Sequence, residues 1–416
     1  MSDISGANDS QDAAAVAAQL LAAGAPFDAL QLVALREDAA ALALRGIALA
    51  QIGDLERGIE LLRRARARFA DADKLAKARC ILAEAEIRLA LRDFRTASRL
   101  LAGLAGAFGD LQDRFNAAHA VLLEARLLML TGRIGEAGQR LDTEMPLIMP
   151  ASLRAAHLLL RAEIAARRAR AQEAALLLAD AVALAGDHAM LRAQAAALGE
   201  ALERPVARTA GGRLLVLREV EELLASGALV LDLGRQVLGC DGIHVDFTGR
   251  PILLMLLQML AEQCPSDVTR DTLVQRVFGA REVDEGYRNR LRVEMSRLRR
   301  HVGGTAAVRS TARGYRLVPL RGGDVVVLSP PIASPEARLL GLLSDGEAWS
   351  SFALAAALGA SQRSVQRGLA ALMREGQAGP VGDGRLRRWV ARPLAGVTPN
   401  LLLVAATGTG DTKDMR

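Results

Sequence analysis

Between residues 288 and 316 the chain carries nine arginines, at positions 288, 290, 292, 297, 299, 300, 309, 313 and 316, against one acid, Glu294. A guanidinium is a planar, permanently charged fork, suited to gripping phosphate oxygens or the O6 and N7 edge of guanine. Within this stretch Leu291, Met295, Leu298 and Val302 recur at the spacing of one helical face. That spacing predicts a helix over 288–302 with an apolar back. At 100° per residue its opposite face carries Asn289, Val293, Ser296, Arg297 and Arg300, with Arg292 and Arg299 on the flanks. Asn pairs with adenine, and an exposed Val touches the thymine methyl. A solvated surface helix is the ordinary fate of a charged face, but such a face mixes signs to gain i,i+4 pairs. The single acid favours a helix lying in the DNA major groove.

Composition bounds what can position such a helix. The length of 416 residues allows two to four domains. Half of the residues are apolar and only 3% aromatic, with Ala and Leu dominating the first two hundred, a helix-forming composition. Net charge is +6, concentrated in the last third and carried almost wholly by Arg. Cys80, Cys240 and Cys264 are odd in number and lack CxxC spacing, which fits free thiols in a reducing compartment. The polar, acidic start does not read as a signal peptide, and the longest apolar run, 252–260, is far short of the ~20 residues that span a bilayer. A cytoplasmic bacterial protein with no membrane partner is expected.

From 12 to 204 helix follows helix. A phrase recurs in which a turn-forming residue stands five positions before a small one: Gly53 and Gly58, Arg92 and Ala97, Gly132 and Ala137, Arg170 and Ala175. This resembles tetratricopeptide (TPR)-like hairpins with slightly long repeats, although the aromatic and Pro positions of that motif are mostly absent and an irregular helical bundle stays open. Stacked hairpins present a concave surface to a protein, a peptide or a small ligand. His119, His157 and His188 read as isolated residues on helices, none of them a ligand.

Periodicity stops near 204–213, where Pro205 and Gly211-Gly212 suggest a linker. Residues 205–227 read as linker plus a short helix over 214–224. Short strands follow at 228–233, 236–238 and 243–246. Thr248 is expected to cap a helix over 252–262, with a second helix at 270–277, a connection at 278–286, the arginine helix and a basic hairpin at 308–317.

The phrases Asp241-Gly-Ile-His-Val, Val268-Thr-Arg-Asp-Thr-Leu, Val277-Phe-Gly, Ser296-Arg-Leu-Arg-Arg300 and Gly314-Tyr-Arg-Leu317 resemble the OmpR/PhoB-type winged-helix DNA-binding domain. That domain is found in response regulators and, with a short wing, in Streptomyces-type antibiotic regulatory proteins. The resemblance covers about 228–318, within a domain expected over 228–320. It implies that Asn289, Val293, Ser296, Arg297 and Arg300 face the major groove. It further implies that Arg299 contacts backbone, that the wing residues Ser310, Thr311 and Arg313 enter or flank the minor groove, and that the 278–286 loop, with Glu282, Asp284 and Glu285, meets RNA polymerase. A plain solvent loop is the equal alternative there. The phrase before the arginine run, Leu291-Arg-Val-Glu-Met295, departs from the family, so base preference does not carry over. No receiver domain is visible.

Over 333–393 a helix at 335–343 precedes helices at 350–358 and 361–375. Ala355, Gly359 and Val365 form a helix-turn-helix skeleton, and the hairpin at 382–390 turns at Asp383-Gly384. This resembles a second winged helix of MarR- or IclR-like type, with Arg363, Gln366, Arg367 and Arg374 outward for DNA, or retained for dimerisation. The tail, 394–416, holds an apolar run at 401–404 expected to dock on a neighbouring surface and an end at 408–416 expected to be disordered. No catalytic, cofactor or metal motif is present in the sequence. The expected fold is mainly α, a TPR-like array plus two small α+β winged-helix domains. The expected function is a sequence-specific transcription regulator that is not an enzyme. Its partners would be double-stranded DNA, RNA polymerase, a protein or small ligand at the repeat, and a second copy. The rival is a protein-interaction scaffold in which the winged helices bind protein.

Overall fold

The computed structural model describes residues 3–401 apart from 145–148, 248, 281, 283, 333, 395 and 397–398; side chains are described from residue 13, except those of 143, 144, 335 and 385. The chain divides into two compact units. The first comprises Met1–Ile164, Ala174–Gly199 and Pro393–Arg416, the second Ala165–Glu173 and Glu200–Arg392.

Helices α1 (Asp3–Ala22), α2 (Pro26–Val33), α3 (Ala39–Gln51), α4 (Leu55–Arg68), α5 (Lys74–Ala90), α6 (Phe94–Leu101), α7 (Leu104–Asp110), α8 (Arg114–Leu130), α9 (Ile134–Glu144), α10 (Ala151–Arg167), α11 (Ala171–Ala185) and α12 (Ala189–Leu202) come first in the chain. Six of their ends close in one way. Gly24, Gly53, Arg92, Gln112, Gly132 and Ala169 each adopt positive φ just beyond a helix. The next amide then reaches back a full turn, from Ala25 to the Leu20 carbonyl, Asp54 to Leu49, Asp93 to Arg88, Asp113 to Phe108, Arg133 to Leu128 and Arg170 to Ala165, each at 2.9 Å. These bonds satisfy helix-terminal carbonyls that would otherwise lack a partner. Asp54, Asp93 and Asp113 go on to cap the following helix by accepting from the amides of Arg57, Thr96 and Asn116. The recurring phrase is thus a stop signal followed by a start signal. Its fourth turn residue is Ala169, not Arg170, because the Arg170 amide is the one that bonds backward.

The small residues at the end of the phrase permit close crossing. A Cβ on Gly58 would lie 2.9 Å from the Gly46 carbonyl oxygen, and one on Gly46 would lie 3.0 Å from that of Gly58. Helices α3 and α4 therefore meet backbone to backbone. Leu401 is buried in this unit; residues 402–404 and 408–416 lie outside the described residues.

In the second unit the stretch expected as a linker is a hairpin, β1 (Pro205–Thr209) with β2 (Leu214–Val216). Ala207 and Leu215 alternate inward onto Val220, Val230 and Leu328, a period-2 pattern too short to stand out. Because 214–216 pair with β1, the helix α13 (Leu217–Ala225) begins later than expected. Strands β3 (Leu229–Asp232), β4 (Val237–Cys240) and β5 (Ile243–Asp246) follow. After α14 (Pro251–Glu262), β6 (Val268–Thr269), α15 (Arg270–Phe278), α16 (Glu285–Val302), β7 (Ala306–Ser310) and β8 (Gly314–Pro319) comes an unexpected strand, β9 (Val325–Ser329). It lies parallel to β3 and antiparallel to β1, giving a six-stranded order β2-β1-β9-β3-β4-β5. Strands β6, β8 and β7 form a separate sheet in that order. Thr248 lies outside the described residues, and the N-cap position of α14 is Arg250 with Pro251 in the first turn, where no amide is required.

The last elements are α17 (Pro335–Leu343), α18 (Ser351–Leu358), α19 (Gln362–Arg374), β10 (Ala378–Val381), a single 3-10 turn at Gly384–Leu386 and β11 (Arg388–Ala391). The hairpin link is longer than the two-residue turn expected at Asp383-Gly384. Among the described residues no helix is long and apolar enough to cross a membrane.

Candidate nucleic-acid interface

The arginine helix α16 starts at Glu285, three residues before the expected position, because the Asp284 side chain accepts from the Tyr287 amide at 2.8 Å. Glu285 sits where the helix dipole favours an acid and pairs with Arg292 at 3.2 Å. Two of the three acids foreseen as polymerase contacts therefore hold the helix itself, while Glu282 is exposed. Tyr287 stacks on Phe278, and the Arg290 guanidinium lies 4.5 Å from the centre of that ring.

Leu291, Met295, Leu298 and Val302 are all buried against a core that includes Leu256, Leu260, Leu273 and Leu317. Each such side chain contributes roughly 1.5–3 kcal/mol on burial, which clamps the helix in one rotation. The opposite face is open: Asn289, Arg292, Val293, Ser296, Arg297, Arg299 and Arg300 are all exposed, Val293 by 51%. At the C-terminal end the His301 ring sits edge-on to Phe247 and lies 2.7 Å from the Asp246 carbonyl oxygen.

The arginines differ in their freedom. Arg297 donates to Glu294 at 2.8 Å, and Arg292 donates to the Asn289 side-chain oxygen at 2.5 Å. Arg299, implied to meet DNA backbone, instead donates to the Val308 carbonyl at 2.8 Å and to the Ser310 hydroxyl at 2.7 Å, pinning the β7–β8 hairpin to the helix. Among the described residues Arg300, Arg309 and Arg313 show no such pairing. Arg309, on the exposed edge of β7, escaped the helical-face argument because it belongs to a strand.

The hairpin tip is braced from below. Thr311 donates to Asp267 at 3.0 Å and accepts the Gly314 amide at the same distance. Arg270 donates to the carbonyls of Thr311 and Ala312, and Arg316 beside Asp267 holds that carboxyl below its usual range. Any Cβ at Gly314 would collide with the Val268 carbonyl. Thr311 is thus half-buried structure, and Arg313 stands exposed at the tip.

In the C-terminal module Gly359 takes φ +61 between α18 and α19, with Ala355, Val365, Leu369 and Leu372 buried. Gly368 leaves room for Leu339 of α17. Arg363, Gln366, Arg367 and Arg374 are exposed along α19. Trp349 and Trp389 bridge backbone to backbone at 2.9 and 2.7 Å, adding a third segment beside the β10–β11 hairpin. In the same module Phe352 is 72% and Leu386 76% exposed.

Comparison with protein-family models, curated proteins and solved structures finds no match to this chain.

Proposed function

We propose that this protein is a sequence-specific DNA-binding transcription regulator. In this reading residues 228–320 form a winged-helix module of OmpR/PhoB type, with α16 as its recognition helix. The TPR-like helical unit binds a regulatory protein or ligand. One observation carries the reading: a helix clamped along its apolar back presents Asn289, Val293, Ser296 and Arg300 together on an open face. That set offers an amide for adenine, a methyl contact for thymine and a charged fork for guanine or phosphate. Arg313 at the hairpin tip and Arg309 on its edge extend the charge beside it, and Arg299 serves to fix the hairpin's place.

The second module is assigned differently. Its exposed Phe352 and Leu386 favour a protein contact, and self-association between two copies is the reading these residues support. Genome-wide capture of DNA by the purified full chain tests the main proposal. Recovery of a common motif, with binding abolished by heparin, is expected. Binding of a protein partner that ignores heparin, with no motif recovered, would instead identify an interaction scaffold.

A further inference from the structure

The first unit contains a polar centre that helix packing alone does not require. Glu86 on α5, His119 on α8, Gln51 at the end of α3 and Gln194 on α12 are all buried, Glu86 to 2% exposure. His119 Nε2 lies 3.1 Å from the Glu86 carboxylate. Burial pushes Glu86 up, but His119, Arg126 and the Leu401 backbone amide outweigh it and hold the carboxyl below its usual range. His119 is therefore not the isolated helix residue expected. His188 lies in the turn before α12, packed against Gly24, where burial lowers its pKa and the Glu86 charge opposes that shift.

Asn400, 1% exposed, is where these groups converge. All four of its hydrogen-bonding groups are held. Its amide donates to Glu86 Oε1 at 2.7 Å, and its carbonyl accepts from Gln51 Nε2 at 3.2 Å. Its carboxamide exchanges both bonds with Gln194, accepting from Nε2 at 3.0 Å and donating to Oε1 at 3.3 Å. The flanking Pro399 and Leu401 are buried too. Leu401 takes φ +49, a conformation that a leucine keeps only where its surroundings impose it. It also walls an apolar cavity of about 290 Å³ with Leu21, Ile47, Leu62, Phe69 and Cys80.

This is how a ligand is read, with donor set against acceptor on every edge. Two facing carboxamides are self-complementary. An aspartate would set oxygen against Gln194 Oε1, and an alanine would remove both bonds that Gln194 makes to Asn400. Glu86 and Gln51 hold backbone groups, so the site reads a peptide rather than a free carboxamide.

We propose that the interior of the helical unit is a receptor for a peptide segment bearing an Asn–aliphatic pair. Pro399-Asn400-Leu401 is its built-in occupant, which a segment of the same chemistry from another molecule replaces. This deepens the reading of the helical unit as the partner-binding part and does not depend on DNA contact by α16. An occupant on the same chain acts at an effective concentration on the order of mM, so micromolar free peptide should not displace it from the intact protein.

The test uses the full chain carrying Asn400→Ala and a labelled nonapeptide of residues 396–404, followed by fluorescence anisotropy. The variant should bind the peptide at least ~10-fold more tightly than the unaltered chain, and an Asn-to-Ala peptide should bind at least ~10-fold more weakly. Adding Gln194→Ala should erase the preference for Asn. Equal binding of the Asn and Ala peptides, or none to the variant, overturns the proposal. Should Asn400→Ala fail to fold, a protease site inserted after Gly396 in the unaltered chain is cut once the protein has folded. Exchange of the cut tail for the Asn peptide in preference to the Ala peptide is then expected, and exchange without preference, or none, overturns the proposal. The readout contains no DNA, so its failure leaves the assignment of α16 untouched.

Discussion

Replacing Arg300 by alanine should remove one unpaired guanidinium from the open face of α16 while leaving its buried stripe alone. On α16 and the β7–β8 hairpin, Arg300, Arg309 and Arg313 are exposed and make no hydrogen bond or ion pair among the described residues. If each meets one phosphate, the logarithm of the association constant should fall against the logarithm of salt with a slope of about −2.7. Between roughly 50 and 200 mM salt that is a loss of about 40-fold. Arg300→Ala should flatten the slope by ~0.9 and weaken specific binding by roughly 1–3 kcal/mol. Arg299→Ala is the matched control. It removes bonds of 2.8 and 2.7 Å to the hairpin, charge-assisted contacts worth roughly 1.5–3 kcal/mol each, and so should lower the urea midpoint with the salt slope unchanged. The assay is anisotropy of a captured DNA fragment titrated at several salt concentrations, alongside urea melts of both variants. A slope equally flattened by Arg299→Ala and Arg300→Ala, or moved by neither, would refute the division of labour between reading and bracing arginines.

His157, on α10 and 8% exposed, should make the helical unit sensitive to acid. Burial, with the charges of Arg161 and Arg154 against the opposing Asp142, lowers its pKa from 6.5 to about 4. The native imidazole stays neutral while the unfolded one protonates below pH 6.5, so stability is full above that value and declines as pH falls toward 4. By pH 5 the loss should be about 2 kcal/mol, read as the difference in urea midpoint that His157→Leu abolishes. At the α3–α4 crossing, Gly58→Ala forces apart two backbones already in contact. It should cost roughly 1–3 kcal/mol in thermal or urea melts, where an ordinary mid-helix Gly-to-Ala change would stabilise.

Much of the site was legible because its information is local. The stripe of Leu291, Met295, Leu298 and Val302 encodes the rotation of α16 in its spacing, and every residue assigned to the outward face is exposed. Gly53 and Gly132 mark their turns because glycine tolerates positive φ. Gln112 and Ala169 adopt the same conformation without that sign, so the turn at 112 goes unmarked and the one at 169 reads a residue late, whereas Arg92, equally without it, is marked by its place in the recurring phrase. What could not be read is set by distant partners. Strand β9 acquires its identity from β1 and β3, about a hundred residues earlier in the chain. Arg299 looks like its neighbours until the hairpin folds over it. Asn400 and Glu86, 314 positions apart, carry no mark of each other.

The parallel pairing of β3 with β9 makes everything from 233 to 324 a single excursion between adjacent strands. A fragment trimmed at Leu320, just past the hairpin, would look whole by the resemblance yet leave one side of β3 bare. All four residues of that strand are buried, so the cut would expose an oily margin with unmet amides, an invitation to fibrous self-addition. The smallest piece to excise intact therefore runs from Pro205 through Ser329.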